Sequence, residues 1–378
     1  MLSRPLSRRS LLRTSAVGAG SLAALSVLAA CGGSSPAAER EIGSSLDEIA
    51  ELAKQEGKVQ LIAYPEDWAN YKGHFEQFQA KYGVDTPVDS PDASSAEELQ
   101  AVKNLKGTDA QPDVLDIGYS FTSAAIAQDL IEPYKPSNFD AIPDNLKHPE
   151  GMWVGAYYGA LSIGVDENDV PLPASFADLK KPEYKGKVAL PGDPRQGASS
   201  IATVFAAALA NGGSLDDIQP GIDYFAELAE LGNLVVINGV ANGLATGQAS
   251  VVFDWNYNFI GIEQTMADSG VALTHFVPED GVYGNYYAQP VTTNSPQPNA
   301  ARLWVDWLTS DEGAEQYALG GAVPARFPEL SAAGKLSDEA LSMLPDPGVL
   351  EKIELPTPEQ GEAAGAIIAK NWATQVKY

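Results

Sequence analysis

The sequence predicts an α/β fold with a mainly parallel sheet. Short apolar segments typical of strands alternate with amphipathic segments typical of helices along most of the chain. The 378 residues, 44% of them hydrophobic and 20% charged, are ordinary for a soluble protein and enough for two domains. In such sheets ligands bind beyond the carboxyl ends of the strands. The loops that follow the predicted strands are therefore the first places to search for a binding site.

The first third of the chain begins the alternation. Leu46, Ile49 and Leu52 fall on one face of a helix that Gly57 ends. The predicted elements are, in order, a helix at 45–56, a strand at 59–63, helices at 70–82 and 95–106, and a strand at 114–117 followed by a helix that begins within 118–122.

The remainder of the chain continues the same pattern. The predicted elements are strands at 160–165 and 186–190, helices at 200–211 and 221–231, strands at 249–253 and 272–277, a strand at 286–291 that returns to the first sheet, and helices at 299–308 and 311–319. Residues 326–378 are expected to form a C-terminal wrap of loops and helices.

The N-terminus has the pattern of an export signal. Arg8 and Arg9 precede an uncharged run of small and apolar residues, which ends in Leu28-Ala29-Ala30-Cys31. This pattern predicts a twin-arginine-type signal peptide at 1–30, with Cys31 as the lipid-bearing residue of a lipoprotein. Residues 31–45 are expected to be a flexible tether. The alternative is an N-terminal membrane-spanning helix, for which the apolar run is short.

Charge and composition disfavour several classes of protein. Lys and Arg number 24 against 50 Asp and Glu, a formal net charge of −26, which repels nucleic-acid phosphates. One cysteine and three dispersed histidines do not suit a disulfide scaffold or a zinc site, and no metal or cofactor is expected. The sequence contains no Gly-x-Ser-x-Gly, His-Glu-x-x-His or phosphate-loop motif. An enzyme is therefore not expected.

Several segments together carry a resemblance to a known family. They are Gln111–Tyr119, Trp153–Gly164 with the following Pro173–Leu190, Gly247–Asn256 and Pro296–Gly313. In these segments the chain resembles the extracytoplasmic solute-binding proteins of bacterial ABC importers. The likeness is to the branch that contains polyamine, ferric-ion, thiamine and aminoalkylphosphonate binders.

The resemblance implies a two-lobed type II periplasmic-binding-protein fold. Each lobe would hold a mainly parallel sheet flanked by helices, and two hinge segments, near 158–164 and 284–290, would cross between the lobes. The implied partition is lobe 1 at 46–160 plus 286–325, lobe 2 at 161–285, and the wrap at 326–378. A monomer would bind a small solute in the cleft and deliver it to a membrane permease by hinge closure.

The candidate solute-binding residues follow the predicted strands. They are Tyr64, Glu66, Asp67 and Trp68 after the first strand; Tyr119 and Ser120 at a helix start; Asp193, Arg195, Gln196 and Ser199 in a strand-to-helix loop; Asp254, Trp255, Asn256 and Tyr257 after a later strand; and Tyr286 and Tyr287 near the second crossing. Each group also has a structural interpretation, such as an exposed acidic turn, a helix cap, or an Asp193–Arg195 ion pair. Tyr157 and Tyr158, at the first crossing, either line the cleft or pack the hinge.

The charge of the solute is left open by these residues. Carboxylates beside aromatic rings suit an amine, whereas Arg195 at a helix start suits an anion. A polyamine-like solute is favoured, with an aminoalkylphosphonate or a ferric complex as the alternative. Against a ferric site, Asn256 and Tyr257 stand where the ferric branch has adjacent tyrosines. Against a polyamine, no acid lies within 286–289. A ligand-sensing lipoprotein and a secreted hydrolase are the alternatives of another class.

Overall fold

The structure, a computed structural model, describes residues 41–377. The predicted signal peptide with Arg8 and Arg9, the predicted lipidation site Cys31, and residues 31–40 of the tether lie outside the described residues. The helices are α1 Leu46–Glu56, α2 Tyr71–Tyr82, α3 Ser95–Leu105, α4 Thr122–Ala127, α5 Ala198–Ala210, α6 Gln219–Leu231, α7 Val240–Ala245, α8 Asn256–Asp268, α9 Pro298–Leu308, α10 Asp311–Leu319, α11 Phe327–Ala332, α12 Asp338–Met343, α13 Pro347–Leu350 and α14 Pro358–Gln375.

Most of the strands are short. They are β1 Leu61–Ile62, β2 Val88–Asp89, β3 Ile117–Gly118, β4 Ile131–Glu132, β5 Gly155–Asp166, β6 Val188–Ala189, β7 Leu234–Val235, β8 Val251–Trp255, β9 Leu273–Phe276, β10 Gly284–Ala288, β11 Val291–Thr292 and β12 Val323–Pro324. The main sheet has the order β3-β10-β5-β8-β6-β7, and β9 and β12 also pair with β5.

Strand β5 holds the main sheet together. Its first half pairs with β10 and β12, so that Tyr158 lies opposite Tyr286. Its second half pairs with β8 and β9, so that Leu161 lies opposite Trp255. One strand of 12 residues therefore belongs to both halves of the sheet.

The α/β class is confirmed, but the sheet is mixed, and the expectation of mainly parallel pairing is wrong for it. Strand β6 is parallel to β7 and β8. Strands β5 and β10 are antiparallel to all their partners in the described sheet. Parallel neighbours need a crossover connection, usually a helix. In the described sheet, β5 and β10 lie side by side in its middle and run in opposite directions.

Helix packing follows the apolar pattern of the sequence. Helix α5 is apolar almost all round and is buried, as expected for a helix between α6 and the sheet. Helix α9 packs on α1 and buries Trp304 and Trp307 in the same core. In the described part of the chain, no helix is both long and apolar enough to span a membrane.

The C-terminal residues include the longest described helix, α14, with 18 residues. A capping box of Thr357 and Gln360 starts it. Its first turn packs closely on Tyr119: a Cβ added to Gly361 would lie 2.9 Å from the Tyr119 hydroxyl oxygen. Near its end, the Trp372 ring lies 5.8 Å from the ring of Phe225 on α6. Helix α14 thus contacts both the segment that follows β3 and helix α6.

Candidate functional site

Residues from four of the predicted loops meet around one aromatic cluster, which consists of Trp68, Tyr157, Trp255, Tyr257 and Tyr287. The Trp68 ring lies 5.6 Å from that of Tyr257 and 5.3 Å from that of Tyr287, both edge to face. Tyr157 and Tyr287 lie nearly parallel at 6.0 Å. Such contacts fix ring orientations as well as burying apolar area.

Ser199 joins the aromatic cluster from the start of α5. Its Oγ accepts a hydrogen bond from Trp255 Nε1 at 3.1 Å and lies 3.4 Å from the Tyr287 hydroxyl. Ser199 lies at the start of α5, whereas Trp255 and Tyr287 lie near the carboxyl ends of β8 and β10, so segments distant in the sequence meet here. This is the place where the sequence predicted a site.

The loop after β1 is bent so that Trp68 faces the cluster. Ala69 and Asn70 adopt left-handed backbone angles, with φ of 47° and 60°. The Asn70 side chain donates to the Gln316 carbonyl at 3.0 Å, which anchors the bend on α10. Glu66 and Asp67, at the tip of the loop, remain exposed.

A cavity of about 340 Å³ opens between this loop and α8. It is lined by Glu66, Asp67, Asn70, Lys72, Tyr257, Ile260, Gly261, Leu319 and Gly320. Its charged lining is two carboxylates and one ammonium group. Three residues predicted from sequence, Glu66, Asp67 and Tyr257, therefore line the same cavity.

Hydrogen-bond acceptors collect at the end of β8, in residues that are near Tyr257 in the sequence and are not themselves part of the cavity lining. Asp254 is buried, and its Oδ1 accepts from the Trp255 backbone N–H and from Asn258 Nδ2, both at 2.9 Å. Burial raises the pKa of Asp254 to about 7, and the negative charge of Asp67 contributes to the increase. Asn258 Oδ1 is buried without a hydrogen-bond partner in the described part of the chain. A cationic donor would satisfy these acceptors.

The positive charge of Arg195 is paired with the carboxylate of Asp193 in the same loop. Arg195 Nε donates to Asp193 Oδ1 at 2.9 Å, and Nη2 donates to Oδ2 at 2.5 Å. This bidentate pair lowers the pKa of Asp193. The ion-pair interpretation therefore describes the arrangement of these two residues, and Gln196 beside them is exposed.

Thirteen of the 16 predicted residues are outside the cavity lining, and four of these have side chains that make other structural contacts. Tyr64 is buried and donates to Gln289 Oε1 at 2.5 Å. The Asn256 amide accepts from the Ala160 N–H at 3.0 Å and donates to the Gly321 carbonyl at 2.7 Å. The remaining two, Tyr119 and Ser120, are in contact with the first turn of α14.

Tyr286 also lies outside the cavity lining. Its ring is buried between Trp153 and Tyr119, at 5.7 and 5.3 Å, and its hydroxyl has no described hydrogen-bond partner. A solute-binding role for Tyr286 stays a prediction.

Asn258 and Asp116 were not among the residues selected from sequence. Asn258 lies in the first turn of α8, and its amide donates back to Asp254 near the end of β8. Asp116 interrupts the apolar run Val-Leu-Asp-Ile, which was a visible signal for a buried carboxylate. Between residues 41 and 377, no group of His, Cys, Asp and Glu is placed to hold a metal ion.

The comparisons with known proteins agree on the class. A model of the family of bacterial extracellular solute-binding proteins matches residues 109–346. Iron uptake protein A2 of Synechocystis sp. is 24% identical over 293 residues, which are 71% of this chain and 82% of that protein.

Solved structures show the fold. That of the periplasmic binding protein AfuA from Actinobacillus pleuropneumoniae, with fructose-6-phosphate bound, matches with a TM-score of 0.66 at 19% identity, covering 85% of this chain and 99% of that one. That of the spermidine/putrescine substrate-binding protein PotD from Streptococcus pneumoniae matches with a TM-score of 0.60 at 15% identity, covering 85% and 99%.

Fold and comparisons together define a two-lobed type II periplasmic binding protein, a solute-binding protein and not an enzyme. The chain belongs to the bacterial extracellular solute-binding protein family, as the substrate-binding component of an ABC transporter. The family is extracytoplasmic, and its partners are a small solute and the membrane permease.

Proposed function

We propose that the solute is a small cationic, nitrogen-bearing compound of the polyamine type. It is held in the cleft between lobe 1 (46–160 plus 286–325) and lobe 2 (161–285). The observation that carries the proposal is the group of acceptors at Asp254, Asn258 and Asp67, beside the aromatic cluster. A primary ammonium group has three N–H donors and a positive charge, so it would both donate hydrogen bonds to these oxygens and balance their negative charge.

The aromatic cluster supports the same chemistry. The faces of Trp68 and Tyr257 attract a cation once it is desolvated. A cation close to Asp254 would favour the carboxylate over the acid, so binding near pH 7 is expected to release a proton from Asp254. Solute contacts from both lobes would stabilise the closed form, which is the form that a permease must distinguish from the open one.

A ferric complex is the second candidate, because the relative from Synechocystis sp. is an iron uptake protein. Ferric binding through phenolates requires tyrosine hydroxyls that can lose their proton, whereas burial raises the pKa of Tyr257 well above its ordinary value. An aminoalkylphosphonate would instead need the guanidinium of Arg195, which Asp193 engages.

Thermal unfolding with added solutes tests the proposal. Spermidine and putrescine are expected to raise the melting temperature, and a solute at about 100 times its Kd stabilises the folded state by about 2.7 kcal/mol. Asp254→Asn is expected to lose most of this shift, and Arg195→Ala is expected to retain it. A shift given by an aminoalkylphosphonate alone and lost in Arg195→Ala would overturn the polyamine assignment. A visible charge-transfer band on addition of ferric citrate would favour the second candidate.

We further propose that the mature chain is a monomer anchored by a lipid on Cys31 after twin-arginine export. The support is the order Arg8, Arg9, apolar run, Leu28-Ala29-Ala30-Cys31. Mass spectrometry of the membrane fraction is expected to find a diacylglyceryl mass on Cys31. Cys31→Ser should move the protein to the soluble fraction, and an Arg8→Lys, Arg9→Lys variant should not be exported.

A further inference from the structure

A buried carboxylate lies behind the aromatic cluster. Asp116 precedes β3 and is 4% exposed. Its Oδ2 accepts hydrogen bonds from the hydroxyls of Tyr71 at 2.9 Å and Tyr157 at 3.1 Å, and its Oδ1 accepts one from Gln289 Nε2. The three donors come from α2, from β5 and from the residue after β10. One side chain is therefore bonded to strand β5 and to the residue that directly follows β10.

The hydrogen bonds continue from Asp116 to the solute cleft. Trp68 Nε1 donates to the Tyr157 hydroxyl oxygen at 2.6 Å. Because the proton of this hydroxyl is donated to Asp116, its oxygen is left to accept from the indole. Acceptance by a carboxylate polarises the Tyr157 hydroxyl and strengthens it as an acceptor for Trp68.

Asp116 is itself fixed from two directions. Its backbone N–H donates to Glu98 Oε2 at 2.9 Å, and Glu98 is also buried. On the other side, the Oε1 of its partner Gln289 accepts from Tyr64. A carboxylate held in this way cannot follow Trp68 and instead determines where Trp68 lies.

We propose that Asp116 is a positioning residue of the solute site, which holds Trp68 at the aromatic cluster through Tyr157 and does not touch the solute. The proposal rests on the proposed function only in assigning Trp68 to the solute-binding surface. A carboxylate suits the position because three donors converge on two acceptor oxygens. An asparagine would turn an amide N–H₂ toward one of these donors and leave a buried polar group unpaired.

The indole N–H resonance of Trp68 in a ¹H–¹⁵N spectrum of the solute-free chain tests this directly. The chain has six tryptophans, and Trp68→Phe assigns the signal. Tyr157→Phe and Asp116→Asn are both expected to shift the Trp68 resonance upfield and to weaken spermidine binding about tenfold, the cost of about one hydrogen bond. Tyr71→Phe is the matched control. It removes a donor from the same carboxylate but keeps the ring that packs on Tyr157 and the hydrogen bonds of Tyr157, and should leave the resonance in place and the affinity within about twofold.

An unshifted resonance in Asp116→Asn, or an equal shift in Tyr71→Phe, would overturn the positioning role. Should Asp116→Asn fail to fold, Asp116→Glu replaces it, because the longer side chain displaces the carboxylate and retains its charge. The resonance requires no solute. If spermidine fails to bind, that result counts against the proposed solute class, and the resonance still decides the role of Asp116.

Discussion

Gly261 of α8 lies against the backbone of Asp67 in the loop after β1, and replacing it with alanine tests whether this contact controls solute binding. A Cβ at position 261 would lie 2.1 Å from the carbonyl oxygen of Asp67. The loop would have to move away from α8 by about 1.4 Å, because non-bonded heavy atoms need about 3.5 Å. Overpacking of this kind costs about 1–3 kcal/mol.

The matched control is Gly365→Ala on α14, where an added Cβ meets nothing within 4 Å. Both glycines lie inside helices, so each alanine gains about 1 kcal/mol of helix propensity, and only the variant at 261 meets the Asp67 carbonyl. Urea unfolding should place Gly261→Ala about 1–3 kcal/mol below Gly365→Ala. If the solute-bound form alone requires the contact, the cost appears instead as about 5–150-fold weaker spermidine binding. Equal stability and equal affinity in the two variants would refute the reasoning.

Three further predictions concern buried groups. Burial raises the pKa of Asp254 from 3.8 to about 7, so the folded chain retains a proton that the unfolded chain releases. The free energy of unfolding should therefore fall by up to about 4 kcal/mol between pH 4 and pH 7. In Asp254→Asn, this part of the dependence of the urea midpoint on pH should be absent. Burial lowers the pKa of His74 from 6.5 to about 3, so the unfolded chain is protonated first and the free energy of unfolding should fall as the pH drops below 6.5. In His74→Phe, the urea midpoint should fall less steeply over this acidic range. Trp372→Ala should cost about 3–5 kcal/mol in urea unfolding, because it removes the buried ring that packs on Phe225; a loss below 1 kcal/mol would show that α14 contributes little there.

The sequence predicted most helices because their signals are local. Helix α1 lies within one residue of its predicted range, and α10 matches its range, since caps and apolar spacing are written in adjacent residues. Helix α8 was not predicted. Its first residues, Asn256, Tyr257 and Asn258, are weak helix formers, and no clear apolar stripe follows them.

Strand direction could not be predicted from the same signals. A strand segment looks alike whether its neighbour is parallel or antiparallel, and β5 pairs with β8 and β10, whose residues lie about 90 or more positions further along the chain. Pairing over such separations depends on how the whole chain packs.

The site was predictable as a set of loops and not as a set of contacts. Trp68, Ser199 and Trp255 could be selected because each follows a strand in the sequence. Whether an arginine faces a solute or its own neighbour depends on a side-chain torsion, so Arg195 allowed both interpretations. Asn258 became visible only once α8 placed it one turn from Asp254.

Helix α14 also has a consequence for synthesis of the protein. The helix is synthesised after both surfaces that it contacts, which are Tyr119 and the face of α6 around Phe225. Until residues 358–375 have left the ribosome, these aromatic surfaces remain open to water and to other nascent chains. A premature stop at Thr357 would therefore leave both surfaces uncovered in a chain that is prone to aggregate.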